Sequence, residues 1–318
     1  MVKVLYILSA GRSGSTILDL SLGTLDGCFS TGEFRRLWEN AIENGRLCAC
    51  GETIYRCAVW SQVLGALHRT CNLGPEQLLR HYHEVFRPRS VWRLLTGQRR
   101  ERWQDLQIYL RTAAVLYASL AEITGCPVLV DSSKKPWHPG LLGLIPGVEP
   151  YAIHLIRDPR AVDYSRTRPR EGESHRNWIR GNHPAAPAAR AVEWIYTNGL
   201  IEFVLRRHLR GRYARMRYED FIARPDLAFE KVAALLGRPR SVPAGEDEES
   251  LCVRNNHMVA GSPIPRHSHG KIRLEVDPVW QHAMSATRQW MVTAVAFPLM
   301  VRYGYRLGRI EACPGGRA

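Results

Sequence analysis

The chain has 318 residues, 45% apolar and 23% charged, which allows a large core and excludes disordered or collagen-like classes. Lys and Arg number 44 against 30 Asp and Glu, a formal net charge of +14, spread along the chain rather than gathered in a tail. Such an excess concentrates anions near the surface and suits nucleic acid, an anionic membrane or a polyanionic small molecule.

The first element in chain order is a strand, Val2 to Leu8, a continuous apolar run with β-branched and aromatic members. Small residues break it at Ser9 to Ser13, and Ile17 to Leu22 resumes with helical spacing. Strand, tight loop and helix open a doubly wound α/β sheet. A short strand and Ser30-Thr31-Gly32-Glu33-Phe34 follow. Residues 60–125 read as a helical cap insertion, rich in Arg, His and Trp up to 103 and carrying a long amphipathic helix from Leu106 to Ile123. Further buried strands are expected at Pro127 to Val130, Tyr151 to Ile156 and Tyr213 to Arg217. Each ends in polar residues: Asp131-Ser132-Ser133-Lys134, Arg157-Asp158 and Tyr218-Glu219-Asp220. In a parallel sheet these share the carboxyl rim, where ligands bind. Helices are expected at Ala189 to Leu209 and Pro225 to Leu236. Residues 166–187 lack a period and read as a lid loop. Gly237 to Ser250 reads as a linker, Asn255 to Lys271 as a polar loop, and a last helix closes at Tyr303-Gly304-Tyr305. There are no internal repeats, so a single domain over 1–318 is expected.

Gly11-Arg12-Ser13-Gly14-Ser15-Thr16 lies between the first strand and the first helix. Small residues let backbone N–H groups approach an anion, and the helix adds the positive end of its dipole. A Walker loop would place Lys after its second Gly. Here Ser15 follows Gly14, and the cation comes earlier, at Arg12. A β/γ-phosphate pair is poorly served by that arrangement.

The loop resembles the 5′-phosphosulfate loop of sulfotransferases that use 3′-phosphoadenosine-5′-phosphosulfate (PAPS). A second segment, Ile156-Arg157-Asp158-Pro159-Arg160-Ala161-Val162 with Ser165, resembles that family's 3′-phosphate site. The resemblance implies an α/β fold with a central parallel sheet flanked by helices, P-loop-containing and sulfotransferase-like. It implies PAPS as donor, bound by Gly11, Arg12, Ser13, Gly14, Ser15, Thr16, Arg157 and Ser165. Chemically, Arg offers phosphate a charge-assisted fork and Ser a hydroxyl donor. Arg217-Tyr218-Glu219-Asp220-Phe221 resembles a segment whose Tyr lies near adenine, although Tyr218 suits a core role equally. Residues 253–276 resemble a loop that closes over the donor, with Arg266 and Lys271 as candidate phosphate clamps.

Sulfuryl transfer asks the protein for alignment and charge stabilisation. Arg12 and Lys134 are candidates to stabilise the leaving phosphate, and Glu33 matches the general base of some family members. Other members use a His, and His154 and His257 keep that alternative open. A sulfuryl group carries less charge than a phosphoryl group, so no metal is required. Cys48, Cys50 and Cys57 depart from the usual paired zinc spacing, and a fourth ligand would have to be Cys71 or His68. No metal site is therefore expected, although the spacing also admits a disulfide. The acceptor expected is a small molecule, sugar or lipid-linked hydroxyl or amine. The rival readings are a P-loop small-molecule kinase and a non-catalytic basic nucleotide- or nucleic-acid-binding protein. The missing Walker Lys opposes the first. The absence of a nucleic-acid motif opposes the second, so no nucleic-acid partner is expected. No apolar stretch reaches the roughly 18 residues of a bilayer span, so no stable membrane insertion is expected. The N-terminus lacks signal-peptide features, which reads as cytoplasmic, with reduced thiols. Nothing in the sequence marks a particular oligomer.

Overall fold

The computed structural model describes residues 1–37, 39, 47–87, 90, 93, 103–168, 186–239, 250–253, 256–261, 270–275 and 277–308. Its centre is a five-stranded sheet of β1 (Val2–Leu8), β2 (Cys28–Gly32), β3 (Val128–Asp131), β4 (Val148–Ile156) and β5 (Tyr213–Arg217), in the order β2-β3-β1-β4-β5. All its pairings are parallel. The chain leaves β1 toward one edge, returns through β3, then continues on the other side as β4 and β5. The winding reverses at β1, which puts the ligand crevice at the carboxyl end of that strand.

The apolar run of β1 follows from this central place, because a parallel sheet is covered on both faces. Val4, Tyr6 and Leu8 face one core with Leu106, Tyr117 and Leu120 of helix α4 (Gln104–Thr124). Leu5 and Ile7 face the other, with Leu18 and Leu22 of α1 (Ser15–Leu22) and Val232 of α9 (Pro225–Leu236). Between α1 and α4, helices α2 (Trp60–Cys71) and α3 (Pro75–Phe86) both lie against α4. Trp60, Val63, Leu78 and Tyr82 thus join the first core.

Helix α5 (His138–Leu142) follows β3, and α6 (Pro159–Thr167) follows β4. Asp158 caps α6 by accepting from the Arg160 N–H, with Pro159 at the first helical position. Helices α7 (Ala186–His208) and α11 (Ala286–Arg302) pack together through Trp194, Val292, Ala296 and Met300. Helix α8 (Tyr218–Ala223) continues directly from β5, and α10 (Val279–Ala283) precedes α11.

Two expectations on loops change. Residues 166 and 167 end α6, Arg168 follows it as the C-cap, and 186 and 187 begin α7; residues 169–185 of the expected lid lie outside the described residues. β6 (Ser250–Val253), which runs from the last residue of the expected linker to the first of the expected closing loop, and β7 (Gly270–Arg273), inside that loop, form an antiparallel pair. Each strand is only four residues long, too short for its alternation to stand out from a polar loop. No described helix is long and apolar enough to cross a membrane.

Candidate functional site

The loop after β1 is shaped by two left-handed residues, Arg12 at φ 73° and Gly14 at φ 85°. Outside glycine that conformation costs about 1–2 kcal/mol, so Arg12 is held there by its surroundings. Gly14 is demanded twice. Its φ favours glycine, and a Cβ there would lie 2.2 Å from Tyr218 Cε2. The amides of Ile17 and Leu18 both donate to Gly14 O, so α1 starts at the loop. Ser13 Oγ is buried with no hydrogen-bond partner, and a buried orphan hydroxyl favours an incoming acceptor such as a phosphate oxygen.

The second segment reaches the same place. Arg157 Nη1 donates to Arg12 O at 3.1 Å, and its guanidinium lies over the Tyr218 ring, 4.6 Å from the centroid. Trp194 Nε1 holds the Arg157 carbonyl at 3.1 Å. Glu219 joins the ends of β4 and β5: Oε1 accepts from Asp158 N–H at 3.0 Å, and Oε2 from Tyr305 OH at 2.9 Å. Ser165 is half-buried on α6. Sequence reasoning missed Arg166, which pairs with Glu193 at 2.5 and 2.9 Å. Its Nη2 would be 3.4 Å from a Cβ at Gly11. Arg166 lay in a stretch without a period, so its place beside the phosphate loop left no signal.

Glu33 follows β2 with little exposure. Lys134 Nζ lies 2.7 Å from Oε1 and Arg36 Nε 2.9 Å from Oε2. Burial pushes the Glu33 carboxyl up, but the Lys134 ammonium and Arg36 guanidinium together outweigh it, leaving the pKa below the usual glutamate value. The carboxylate is therefore ionised at neutral pH. Lys134 holds a left-handed backbone, φ 63°, just past β3. Behind this pair, burial pushes Asp131 and Asp19 up to about 7. Asp131 Oδ1 accepts from Ser133 N–H, and Asp19 Oδ1 from Ser30 Oγ.

Beside Glu33 a cleft is lined by Phe34, Arg35, Tyr82, Tyr109 and His138. Arg35 N–H donates to Ser133 Oγ at 3.0 Å, tying the cleft wall to the end of β3. His138 is buried between Tyr6 OH and Tyr109 OH, 3.1 Å from each. Burial lowers its pKa to about 3, so the imidazole is neutral.

The alternative bases lie elsewhere. His154 is buried against Asn198 Oδ1 at 2.9 Å and Tyr303 on the α7 side of the sheet, a satisfied core histidine. His257 Nδ1 faces the thiol of Cys57 at 3.2 Å. Arg266 lies outside the described residues. The backbone of Lys271 pairs with Cys252 in the β6–β7 pair.

A glycine-containing loop at the switch point, a second arginine against that loop and a half-buried carboxylate–lysine pair meet at the carboxyl rim of a parallel α/β sheet. Residues 5–241 match the sulfotransferase family, and the chain belongs to it. A search of curated proteins returned no match. Among solved structures, the chain is similar to the sulfotransferase domain from the curacin biosynthetic pathway. The identity is 17% and the TM-score 0.52, covering 97% of this chain and 99% of that one. It is also similar to the sulfotransferase domain of the Synechococcus PCC 7002 olefin synthase, with 21% identity, TM-score 0.50, and 93% and 94% covered. At these identities the likeness shows the fold.

Proposed function

We propose that the protein moves a sulfuryl group from PAPS to a hydroxyl or amine of a small-molecule, sugar or lipid-linked acceptor. The observation that carries this reading is the meeting of two anion grips on one rim, with Arg157 hydrogen-bonded to the backbone of the Gly11–Thr16 loop. A mononucleotide carrying phosphate at both its 5′ and 3′ positions needs two such grips.

Gly11 to Thr16 would hold the 5′ end through backbone N–H groups, the Ser13 hydroxyl and Arg12, and the orphan Ser13 oxygen fits that role. Arg157 and Ser165 would hold the 3′-phosphate, with Tyr218 packed between Arg157 and Gly14 as the spacer that sets the two grips side by side. PAPS supplies the activated sulfuryl group. Glu33, ionised at neutral pH, takes the acceptor proton onto a carboxylate oxygen as the acceptor–sulfur bond forms. The bond from sulfur to the bridging phosphate oxygen breaks, and the departing phosphate keeps the electron pair. Arg12 and Lys134 stabilise its charge. The cleft of Phe34, Arg35, Tyr82 and Tyr109 begins at the two residues after Glu33, and its aromatic walls with one cation suit an aromatic or anionic acceptor.

The test is calorimetric binding of 3′,5′-ADP against ADP and 5′-AMP, in the wild type and in Arg157→Ala. The 3′-phosphorylated nucleotide should bind tightest. Removing a charge-assisted contact of about 1.5–3 kcal/mol should weaken it roughly tenfold to hundredfold. ADP preferred over 3′,5′-ADP, or equal affinity in the variant, rejects the proposal.

A further inference from the structure

Outside the donor rim, one cluster of metal-ligating side chains stands out among the described residues. Cys48, Cys50, Cys57 and His257 bring three sulfurs and one imidazole nitrogen within 4.8 Å of one another. His257 Nδ1 is 3.2 Å from Cys57 Sγ and 4.0 Å from Cys48 Sγ. Around a tetrahedral zinc, with Zn–S about 2.3 Å and Zn–N about 2.0 Å, ligand atoms stand roughly 3.5–3.8 Å apart. The set already has nearly that size. We propose that these four residues form a structural zinc site, Cys₃His, that fastens the segment around His257 to the cysteine turn.

The surroundings are built for it. Cys48 and Cys50 sit on a tight turn closed by Gly51 N–H to Cys48 O and by Cys48 N–H to Glu52 O. Cys57 N–H donates to Thr53 O at 2.8 Å, which fixes the third cysteine beside that turn. His257 is held from both sides. Its carbonyl accepts from Trp60 Nε1 at 2.6 Å, and its ring stacks on Phe29 at an interplanar angle of 16°. Four protein ligands leave no open position, which marks a structural rather than a catalytic zinc.

This departs from the sequence expectation of no metal, and the fourth ligand is neither Cys71 nor His68. Its consequence reaches the rim. The segment after His257 supplies Ala260 O to the N–H of Glu33 at 3.0 Å, and Val259 N–H donates to Thr31 O. Gly261 lies where an added Cβ would be 3.0 Å from Thr16 Cγ2. Zinc would therefore brace the backbone behind both Glu33 and the phosphate helix.

The test is metal analysis of untagged protein purified under reducing conditions, which does not depend on the sulfotransfer proposal. About one zinc per chain is expected, released in step with titration of the thiols by a mercurial. Cys57→Ser and His257→Ala should lower zinc content about tenfold or more, whereas Cys71→Ser should keep it. Cobalt exchanged into the wild type should give thiolate-to-cobalt charge-transfer absorption and tetrahedral ligand-field bands, a readout that needs no variant to fold. Folded protein that carries no zinc and gives no cobalt–thiolate absorption overturns the proposal. So does a Cys48–Cys57 disulfide found by peptide mass spectrometry, or zinc retained at the wild-type level in both ligand variants.

Discussion

Replacing Gly14 by Ala probes the join between the phosphate loop and Tyr218. The left-handed φ of 85° costs an alanine about 1–2 kcal/mol. Its Cβ would also lie 2.2 and 2.4 Å from two carbons of the Tyr218 ring. Ordinary carbon contacts begin near 3.5 Å, so the ring must retreat by more than about 1 Å. Tyr218 is 5% exposed and sandwiched between the loop and Arg157, so overpacking adds about 1–3 kcal/mol. The single variant should lose roughly 2–5 kcal/mol in urea unfolding. In the pair Gly14→Ala with Tyr218→Ala the overlap vanishes, leaving the backbone strain and the lost packing of the Tyr218 ring. A double-mutant cycle should therefore show the two changes to be non-additive by about 1–3 kcal/mol, the double variant being less destabilised than the sum. Strict additivity would falsify the contact, and a Gly14→Ala protein of wild-type stability would refute the strain as well.

Three further outcomes are expected. Glu33→Gln should abolish most turnover while leaving 3′,5′-ADP affinity within about twofold, because the side chain keeps its shape and loses only its basicity; full activity would remove Glu33 as base. Since Lys134 and Arg36 hold the Glu33 pKa below its ordinary value, the wild-type acid limb of turnover should lie on the acid side of that value. Residual activity in Lys134→Met should show that limb displaced to higher pH, and an unmoved limb would count against the pair. Burial raises Asp131 from 3.8 to about 7, so the folded state binds the extra proton between those values. The stability this group contributes is present below the unfolded value and falls as pH rises through about 7, with a slope of up to about 1.4 kcal/mol per pH unit. Urea midpoints compared at roughly pH 5 and pH 7 should show a flatter dependence in Asp131→Asn; an unchanged slope would refute the assignment.

The sheet was legible in the sequence because burial on both faces leaves unbroken apolar runs. β1 and β5 fall where those runs predict, β3 (Val128–Asp131) is shifted by one residue from Pro127 to Val130, and β4 (Val148–Ile156) starts before the expected Tyr151. The rim was legible because each run ends in polar residues. What local pattern could not carry was the identity of partners across the fold. Lys134 on Glu33, Arg166 beside Gly11 and Tyr218 against Gly14 are meetings that only the closed sheet creates. His257 is the sharpest case. It lies 200 residues from Cys57 in the chain, and spacing rules for metal ligands work on neighbours. His154 shows the converse: its residue type made it a candidate base, and its side chain faces the core on the α7 side of the sheet.

The place of β1 also bears on how the protein acquires its shape. Lys3 pairs with Val128 on one side and Glu149 on the other, so the central strand gains its neighbours only when segments more than about 120 residues away arrive. Contacts that distant slow folding, because loop-closure entropy is lost before pairing compensates for it. Until then Val2 to Leu8 is an unpaired apolar ribbon open to association with other chains. The loop at its end cannot take form earlier than the strand that carries it. The nucleotide capture proposed at Gly11 to Thr16 would thus belong to the late stages of assembly, and ligand added during refolding should act on the completed sheet rather than on its precursors.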